Sequence, residues 1–362
     1  MRIETKVKVN VHEWDAPLLN NTASSVYQSY YWAKLYQDVF DSKPLFLYAK
    51  NNSGKIIGQL LAFIHTKYYW INANPIFQKV ASKLNLGSII SWHYGPVIHE
   101  ESLTRQINEE LIGALDKIAL ENDIIFIKGT SHPLSVSSDQ HLLKKNEYEQ
   151  KLWGTYVIDL NEGFEGLYNK LDKKTRYDIR KAEQNQIEFG IANNKSDLDE
   201  YIELKHRERE KSGQKTTRIP FYNEKYWDYL YKNDHLLLFV ARHKGDMIGG
   251  ILGIVFNGYI IQHGVLTRKK ELSGGAFLTW NSLKWASENN YKIFDMGGFN
   301  PEPDSKKEKS IDFFKSKWGG KELKYSLYTK ISNKKKFNIS TALIHPDRLG
   351  KKFQSFLRNS VI

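Results

Sequence analysis

The sequence contains no cysteine and no long apolar run, and both absences narrow what the protein can be. Without cysteine there is no disulfide, no thiolate zinc site and no cysteine nucleophile, which fits a reducing compartment. The longest apolar run, Ile56 to Ile64, is strand-like and falls well short of the roughly 18 residues that span a bilayer. Residues 1–6 lack the apolar region of a secretory signal. We therefore predict a soluble cytoplasmic protein.

Several catalytic motifs are missing as well. The sequence has no G-x-x-x-x-G-K-[ST] phosphate loop, no G-x-G-x-x-G, no G-x-S-x-G elbow and no H-E-x-x-H pair. Its 11 histidines are scattered without the spacing of metal ligands. These absences argue against a kinase, a serine hydrolase or a zinc enzyme, and we predict no metal site.

Positive charge is in excess. The 362 residues carry a formal net charge of +12 and a pI near 9.3. Such a balance favours an anionic partner, which includes nucleic acid, a membrane surface or a phosphorylated substrate. The alternative is a lysine-rich surface that serves solubility and has no particular partner.

The order of helical and strand patterns predicts an α/β protein with two units of related design. The predicted domains are residues 1–152 and 153–330, followed by a basic helical tail, 331–362. The periodicity predicts one strand over Ile89–Ile98 and one long helix from Phe164 to Ala182.

The most informative segment is the end of the strand-like run before Asp295. This acid is followed by Gly297 and Gly298, and a charged loop then leads to Phe314, Lys315 and Lys317. Glycines at the end of a strand allow the backbone to approach a ligand closely. Lysines beside them predict a site for an anionic group.

A second candidate anion site lies between a predicted strand and a predicted helix. Arg268 precedes Gly274 and Gly275, and backbone amides at a helix N-terminus bind phosphate well. The arrangement looks like the pyrophosphate loop of GNAT acyltransferases. The alternative is an ordinary exposed loop with a glycine-bearing cap.

Two further segments are basic and amphipathic. In the first, Lys174, Arg176 and Arg180 crowd the solvent side of a helix, the kind of face that phosphate contacts need. In the tail, Leu349 to Arg358 places apolar residues on one helical face with cations around it. This tail could lie on a membrane surface at the inner face of the membrane, or pack on its own domain. For the helix that carries Lys174, Arg176 and Arg180, the alternative is a solvated face without a ligand.

Five segments together resemble the FemX/FemA/FemB aminoacyltransferases, which consist of two GNAT-like domains in tandem. The resemblance covers most of the chain, and the segments follow the family's order. They are Gln28-Ser29-Tyr30-Tyr31-Trp32-Ala33-Lys34, Tyr94-Gly95-Pro96-Val97, the helix Lys174 to Ala182, Asp295-Met296-Gly297-Gly298, and Phe314-Lys315-Ser316-Lys317-Trp318-Gly319-Gly320.

This resemblance implies an activity. Family members move an amino acid from aminoacyl-tRNA to an amine of a peptidoglycan precursor, without a metal or prosthetic group. The family's Phe-Lys segment contacts the donor end and maps to Phe314 and Lys315, with Lys317 as the fallback. The resemblance assigns the basic helix to phosphates, and Tyr94 and Gly95 to substrate binding. It implies an anionic acceptor that is linked to a lipid or a nucleotide.

One position departs from the family pattern. Family members usually have an aspartate two residues after the Gly-Pro pair. This chain has Ile98 at that position, followed by His99. His99 either accepts a proton, since its ordinary pKa lies near neutrality, or is a surface histidine before two glutamates.

Three functions remain open from the sequence. The first is transfer from aminoacyl-tRNA to a cell-wall amine. The second is an acyltransferase that uses acyl-CoA on a cell-envelope amine or amino sugar. The third is a basic nucleic-acid-binding protein on a decayed transferase fold.

Overall fold

The computed structural model describes residues 1–66, 79, 83–135, 147–211, 213, 222–268 and 272–344. The chain divides into two compact units. Unit 1 takes in Met1–Trp153 and Tyr325–Ile362, of which the residues up to 344 are described; unit 2 is Gly154–Lys324. The membrane-surface prediction for Leu349 to Arg358 therefore falls outside the described residues.

Unit 1 is a mixed sheet with helices on both faces. Its strands lie in the order β1, β2, β3, β4, β6, β13, with β5 paired to β3, and only the β4–β6 pair is parallel. The strands are β1 (Arg2–Lys6), β2 (Lys43–Lys50), β3 (Ile56–His65), β4 (Ile89–Trp92), β5 (Val97–Ile98), β6 (Phe126–Thr130) and the second half of β13 (Lys321–Ile331). The helices are α1 (Val11–Leu19), α2 (Tyr30–Phe40), α3 (Thr104–Glu121) and α10 (Lys334–Ile344).

Alternation along β2 explains why both faces of this sheet are covered. Leu45 and Leu47 join the apolar cluster to which Leu111 of α3 belongs. Phe46 and Tyr48 point to the opposite face, where both rings meet Trp14 of α1 edge-on. Burial of the two faces holds the strands between α3 and the α1 side.

Unit 2 repeats the same plan. Its strands lie in the order β7, β12, β11, β10, β9, β8, and only the β11–β12 pair is parallel. The strands are β7 (Glu149–Asp159), which begins in unit 1, β8 (Glu188–Ile191), β9 (Leu236–His243), β10 (Asp246–Phe256), β11 (Tyr259–Thr267) and β12 (Ile293–Phe299). The helices are α4 (Gly163–Lys170), α5 (Lys173–Gln184), α6 (Lys195–Lys211), α7 (Tyr222–Lys225), α8 (Gly274–Glu288) and α9 (Lys306–Ser316).

Two predictions of secondary structure were wrong. The long helix from Phe164 to Ala182 is broken into α4 and α5, because Leu171 is extended and the Asp172 carboxylate accepts a hydrogen bond from Thr175 N (2.6 Å) that starts a new helix. The strand Ile89–Ile98 ends at Trp92 and resumes at Val97. Tyr94 between them has φ 48° and precedes a cis Gly95–Pro96 peptide bond.

The segment before Lys315 is also more ordered than the sequence indicated. It forms α9, which begins with a capping box between Ser305 and Glu308. Phe314 and Lys315 therefore project from a helix. Unit 2 ends at Lys324, whereas the sequence prediction placed the end of the second domain at residue 330.

Candidate active site

The candidate site of unit 2 lies where its two parallel strands diverge. β11 and β12 pair only from Tyr259 to Ile261 against Ile293 to Asp295. Immediately beyond, Gln262 Nε2 donates to Met296 O (3.1 Å), and Gly297 adopts φ 75°. A Cβ on Gly297 would lie 2.8 Å from Gln262 O, so only glycine fits. The divergence leaves strand-end backbone groups for other partners.

Asp295 holds the backbone of β12 in place where the two strands diverge. It is fully buried, and its carboxylate accepts hydrogen bonds from Thr155 Oγ1, from Tyr259 OH (2.7 Å) and from Gly297 N (2.7 Å). Burial raises the pKa of Asp295, and these three donors act in the opposite direction. The carboxylate is therefore occupied by protein groups and sets the position of the glycines.

Lys315 reaches the same strand end from α9. Its Nζ donates to Gly297 O (2.7 Å) and Gly298 O (2.9 Å), and the side chain is only 9% exposed. Burial lowers the pKa of Lys315 to about 8, and the nearby Asp295 carboxylate opposes that shift. An ammonium carries three N–H donors, and the third has no acceptor among the described residues. This third N–H could donate a hydrogen bond to a negative charge that develops beside Gly297.

The aromatic residues around Lys315 divide into buried and exposed members. Phe314 packs edge-on against Trp318 with ring centroids 5.9 Å apart, and Lys317 Nζ lies 5.0 Å from the Phe314 ring centroid. Trp318 is buried, and its indole N–H has no partner among the described residues. Phe313, which the sequence did not single out, is 66% exposed. The Phe-Lys segment thus presents one ring to the core and one to solvent.

The predicted basic helix is α5, and its start lies next to the Lys315 segment. Asp172 is the N-cap of α5, and its pKa is lowered chiefly by the hydrogen bond from the Thr175 backbone N–H. The charge of Lys317 adds to this lowering. Lys174 and Arg180 are exposed, and the Arg176 guanidinium stands 5.9 Å from the Tyr168 ring centroid.

These three cations are available to an external anion. Within the described ranges, neither Lys174, Arg176 nor Arg180 forms an ion pair with an acidic side chain. Unpaired cations on the solvent side of a helix are what a polyanion such as RNA would bind.

The second predicted anion site has a cation that is already paired with an acidic side chain. Arg268 Nε lies 3.3 Å from Glu208 Oε1, so its charge is already paired. Gly274 and Gly275 begin α8, whose N-cap Ser273 makes no side-chain hydrogen bond to the helix start. Lys269, Lys270 and Glu271 fall outside the described residues. Helix-start amides are therefore present at this loop, while its first cation has an internal partner.

The predicted residues of the first domain lie in unit 1. Tyr94 N donates to Thr130 Oγ1 (2.9 Å) and Gly95 N to Thr130 O (3.0 Å), which ties this bend to the end of β6. A Cβ on Gly95 would lie 2.8 Å from Gln28 Nε2. Gln28 belongs to the first of the five resembling segments, so two of those segments pack directly on each other.

His99 is a half-buried side chain that makes specific contacts. Its Nε2 lies 3.0 Å from Gln59 Oε1, and its Nδ1 lies 3.5 Å from Asn21 Nδ2. Burial lowers the pKa of His99 to about 4, and Lys55 adds to the shift. The ring is therefore neutral near pH 7, and its low pKa makes it a weak proton acceptor.

Sequence reasoning missed a half-buried lysine with a shifted pKa. Lys205 of α6 has its Nζ 2.7 Å from where a Cβ on Gly264 would stand, and burial lowers the pKa of Lys205 to about 8. It follows Leu198 by seven positions and Tyr201 by four, so the spacing alone places it on the buried face of the helix. A lysine at that spacing was the available signal.

The described parts of the chain lack a metal-binding cluster and a membrane-spanning helix. No group of three or more His, Asp or Glu side chains there could hold a metal ion. Among the helices of the described ranges, none is both long and apolar enough to cross a bilayer.

Comparison with known proteins identifies the class. Residues 169–309 match the model of the acetyltransferase (GNAT) domain, and that segment contains α5, α8 and the β11–β12 divergence. No curated protein matches the chain in sequence. Unit 2 therefore contains a GNAT acetyltransferase-type domain.

Solved structures show that this fold occurs twice. A crystal structure of FemX superposes with a TM-score of 0.68 at 14% identity, covering 89% of this chain and 96% of that one. A tandem GNAT protein from the clavulanic acid pathway gives 0.55 at 12%, covering 92% and 99%. A domain of a putative lysylphosphatidylglycerol synthetase from Agrobacterium fabrum gives 0.56 at 13%, covering 92% and 95%. The predicted tandem GNAT-like fold of the FemX type is confirmed.

Proposed function

We propose that the protein transfers an aminoacyl group from aminoacyl-tRNA to an amine of a peptidoglycan-type precursor. The observation that carries the proposal is the Lys315 ammonium, held by Gly297 O and Gly298 O with one N–H unused among the described residues. The acceptor amine attacks the ester carbonyl carbon, and the C–N bond forms as the carbonyl oxygen becomes an oxyanion. Collapse breaks the C–O bond, and the leaving ribose hydroxyl takes the proton that the amine loses. Lys315 stabilises the oxyanion.

The donor is assigned to RNA because of the unpaired cations on α5. Lys174, Arg176 and Arg180 lie on the solvent side of α5, which starts beside Lys317. A phosphate chain that runs along this side therefore leads toward the Phe314–Lys315 segment. The chemistry needs no metal or prosthetic group. In this proposal the acceptor is anionic and linked to a lipid or nucleotide, and the enzyme works in the cytoplasm at the inner face of the membrane.

An acyl-CoA donor is the second candidate. It is favoured by the match of residues 169–309 to a GNAT acetyltransferase domain and by the helix start at Gly274 and Gly275. The ion pair between Arg268 and Glu208 weighs against it, because a pyrophosphate at this loop would have to compete for that cation.

The experiment is equilibrium binding of charged tRNA over a series of salt concentrations. Lys174→Gln and Arg180→Gln should each weaken binding and reduce the slope of log K against log salt by about 1. The control is Lys195→Gln, which changes a half-buried helical lysine of unit 2 that is paired with Asp199. Equal slopes for all three variants, or displacement of the tRNA by coenzyme A, would contradict the RNA assignment.

A further inference from the structure

The end of the unit 1 sheet at which β4 and β6 begin is enclosed by three segments that hydrogen bond to one another. Asp123, which follows α3, accepts a hydrogen bond from Lys336 Nζ of α10. Asn85, in the turn before β4, donates from Nδ2 to Asp123 O (3.3 Å), and Ser340 Oγ of α10 donates to Leu86 O (2.6 Å) in the same turn. These contacts join residues 83–86, 117–123 and 334–340 into one surface, the α3–α10 corner.

Three large aliphatic side chains of the α3–α10 corner are exposed. Leu120, in the last turn of α3, is 74% exposed, more than any other large apolar side chain in the described ranges. Leu84 (55%) lies in the turn before β4, and Ile339 (49%) lies beside Ser340 of α10. Single exposed leucines are common on protein surfaces, but three in segments that contact one another form an apolar surface that calls for a partner.

The α3–α10 corner is also cationic. Its five lysines and two acids give a net charge of +3. Four of the lysines are exposed and form no ion pair with an acidic side chain in the described ranges, and they are Lys83, Lys117, Lys334 and Lys335. Asp123 is already paired with Lys336, so Glu121 is the remaining acid of this surface. Most of the positive charge of the corner is therefore available to an anionic partner.

The stability of α10 does not account for its lysines. Lys334 and Lys335 lie in the first turn of this helix, at the positive end of its dipole, where a cation is unfavourable. The acid at this end, Asp123, is taken by the next lysine, Lys336. Two exposed cations at an unfavourable end of a helix indicate a role outside the helix.

Charge and composition decide between the candidate occupants of the α3–α10 corner. A second copy of the chain on a two-fold axis would place lysines against lysines, and lysine is depleted in protein interfaces. Residues 345–362, which continue the chain, carry four Lys and Arg against the single acid Asp347, so they would also bring like charge. RNA would find the cations but no aromatic ring for its bases. A bilayer with anionic lipids matches both the cations and the aliphatic side chains.

We propose that the α3–α10 corner docks unit 1 on a membrane surface that contains anionic lipids. Its three exposed aliphatic side chains enter the headgroup region, and its lysines meet the lipid phosphates. The proposal rests on the membrane location given in the proposed function, but not on the donor, the acceptor or the role of Lys315. It adds the surface that makes the contact and the class of lipid that the contact requires.

The first test is sedimentation of the full chain with lipid vesicles at several salt concentrations. The protein should bind vesicles of phosphatidylcholine mixed with phosphatidylglycerol more tightly than vesicles of phosphatidylcholine alone, and salt should weaken the difference. Lys334→Gln/Lys335→Gln should weaken binding to the mixed vesicles by roughly 30-fold, the loss expected for two lysines near an anionic surface. The matched control is Lys306→Gln/Lys307→Gln, which changes two adjacent exposed lysines at the start of α9 and should bind like wild type.

The second test changes the apolar part of the surface at constant charge. Leu120→Ser should weaken binding to the mixed vesicles by roughly tenfold, because serine buries little apolar area in the headgroup region. Its melting temperature should stay unchanged, since Leu120 is exposed in the fold. The control is Leu19→Ser at the end of α1, which changes a leucine that is 54% exposed and should bind like wild type.

Several results would overturn the docking proposal. They are equal binding to both kinds of vesicle, no binding to either, and equal losses in a variant of the corner and its control. Binding of tRNA that falls in Lys334→Gln/Lys335→Gln would identify RNA as the occupant, and a dimer that Leu120→Ser splits would identify a second copy. Vesicle binding without aminoacyl transfer would contradict the proposed function alone, whereas transfer by a chain that does not bind vesicles would contradict the docking proposal alone.

Discussion

Replacing Lys315 with methionine tests the assigned chemistry most sharply within the site. Methionine keeps much of the buried chain and removes the ammonium together with its bonds to Gly297 O and Gly298 O. Loss of one preorganised oxyanion donor lowers kcat by about 10² to 10³, or about 2.7–4 kcal/mol. We expect a loss of that size with the donor KM changed little, because the ammonium acts on charge that develops only in the transition state.

The stability of the Lys315 variant must be measured in parallel. Two carbonyl oxygens lose a charged donor, which costs about 1.5–3 kcal/mol for each bond, while the penalty for burying the ammonium disappears. The net loss should be on the order of 1–2 kcal/mol, so the variant stays folded at assay temperature. Steady-state kinetics on charged tRNA and thermal melts, with Lys195→Met as the matched control, separate the two effects. Equal falls in kcat for the two variants would refute the reasoning.

Three other predictions follow from particular groups. Activity should fall as pH rises through about 8, the lowered pKa of Lys315, and Lys315→Arg should remove that limb because a guanidinium keeps its proton. Gly297→Ala should abolish activity because its Cβ meets backbone, whereas Gly245→Ala, with φ 82° and nothing within 4 Å, should cost only modest stability. Burial raises the pKa of Asp15 to about 7, so its stabilising neutral form is lost as pH rises toward 7. Asp15→Asn should therefore raise the free energy of unfolding at pH 8 by up to about 4 kcal/mol, but should not raise it at pH 4. Denaturant titrations at the two pH values measure this difference.

The fold and part of the site could be predicted from the sequence because they depend on local patterns. Glycine pairs after a strand-like run and a lysine-bearing aromatic segment are local patterns, and the structure brings Gly297, Gly298 and Lys315 into direct contact. The helix break at Asp172 was missed because the apolar spacing continues across it, although an aspartate three residues before a buried threonine is a cap signal.

Other features depend on contacts that no local pattern contains. The three donors to Asp295 come from β7, β11 and β12, and only the folded sheet assembles them. His99 depends in the same way on Gln59 from a neighbouring strand. The buried Asn108 Oδ1, which has no hydrogen-bond partner among the described residues, could not be predicted either, because a single polar residue on a helix is usually solvated.

The most direct measurement compares two donors in one assay. The protein is incubated with an amine-bearing cell-wall precursor and either labelled aminoacyl-tRNA or labelled acetyl-CoA, and transfer of label to the precursor is followed over time. The account predicts that aminoacyl-tRNA is consumed with transfer, that Lys315→Met slows this by about 10² or more, and that acetyl-CoA is untouched. Consumption of acetyl-CoA alone, or tRNA binding with no transfer of label, would contradict it.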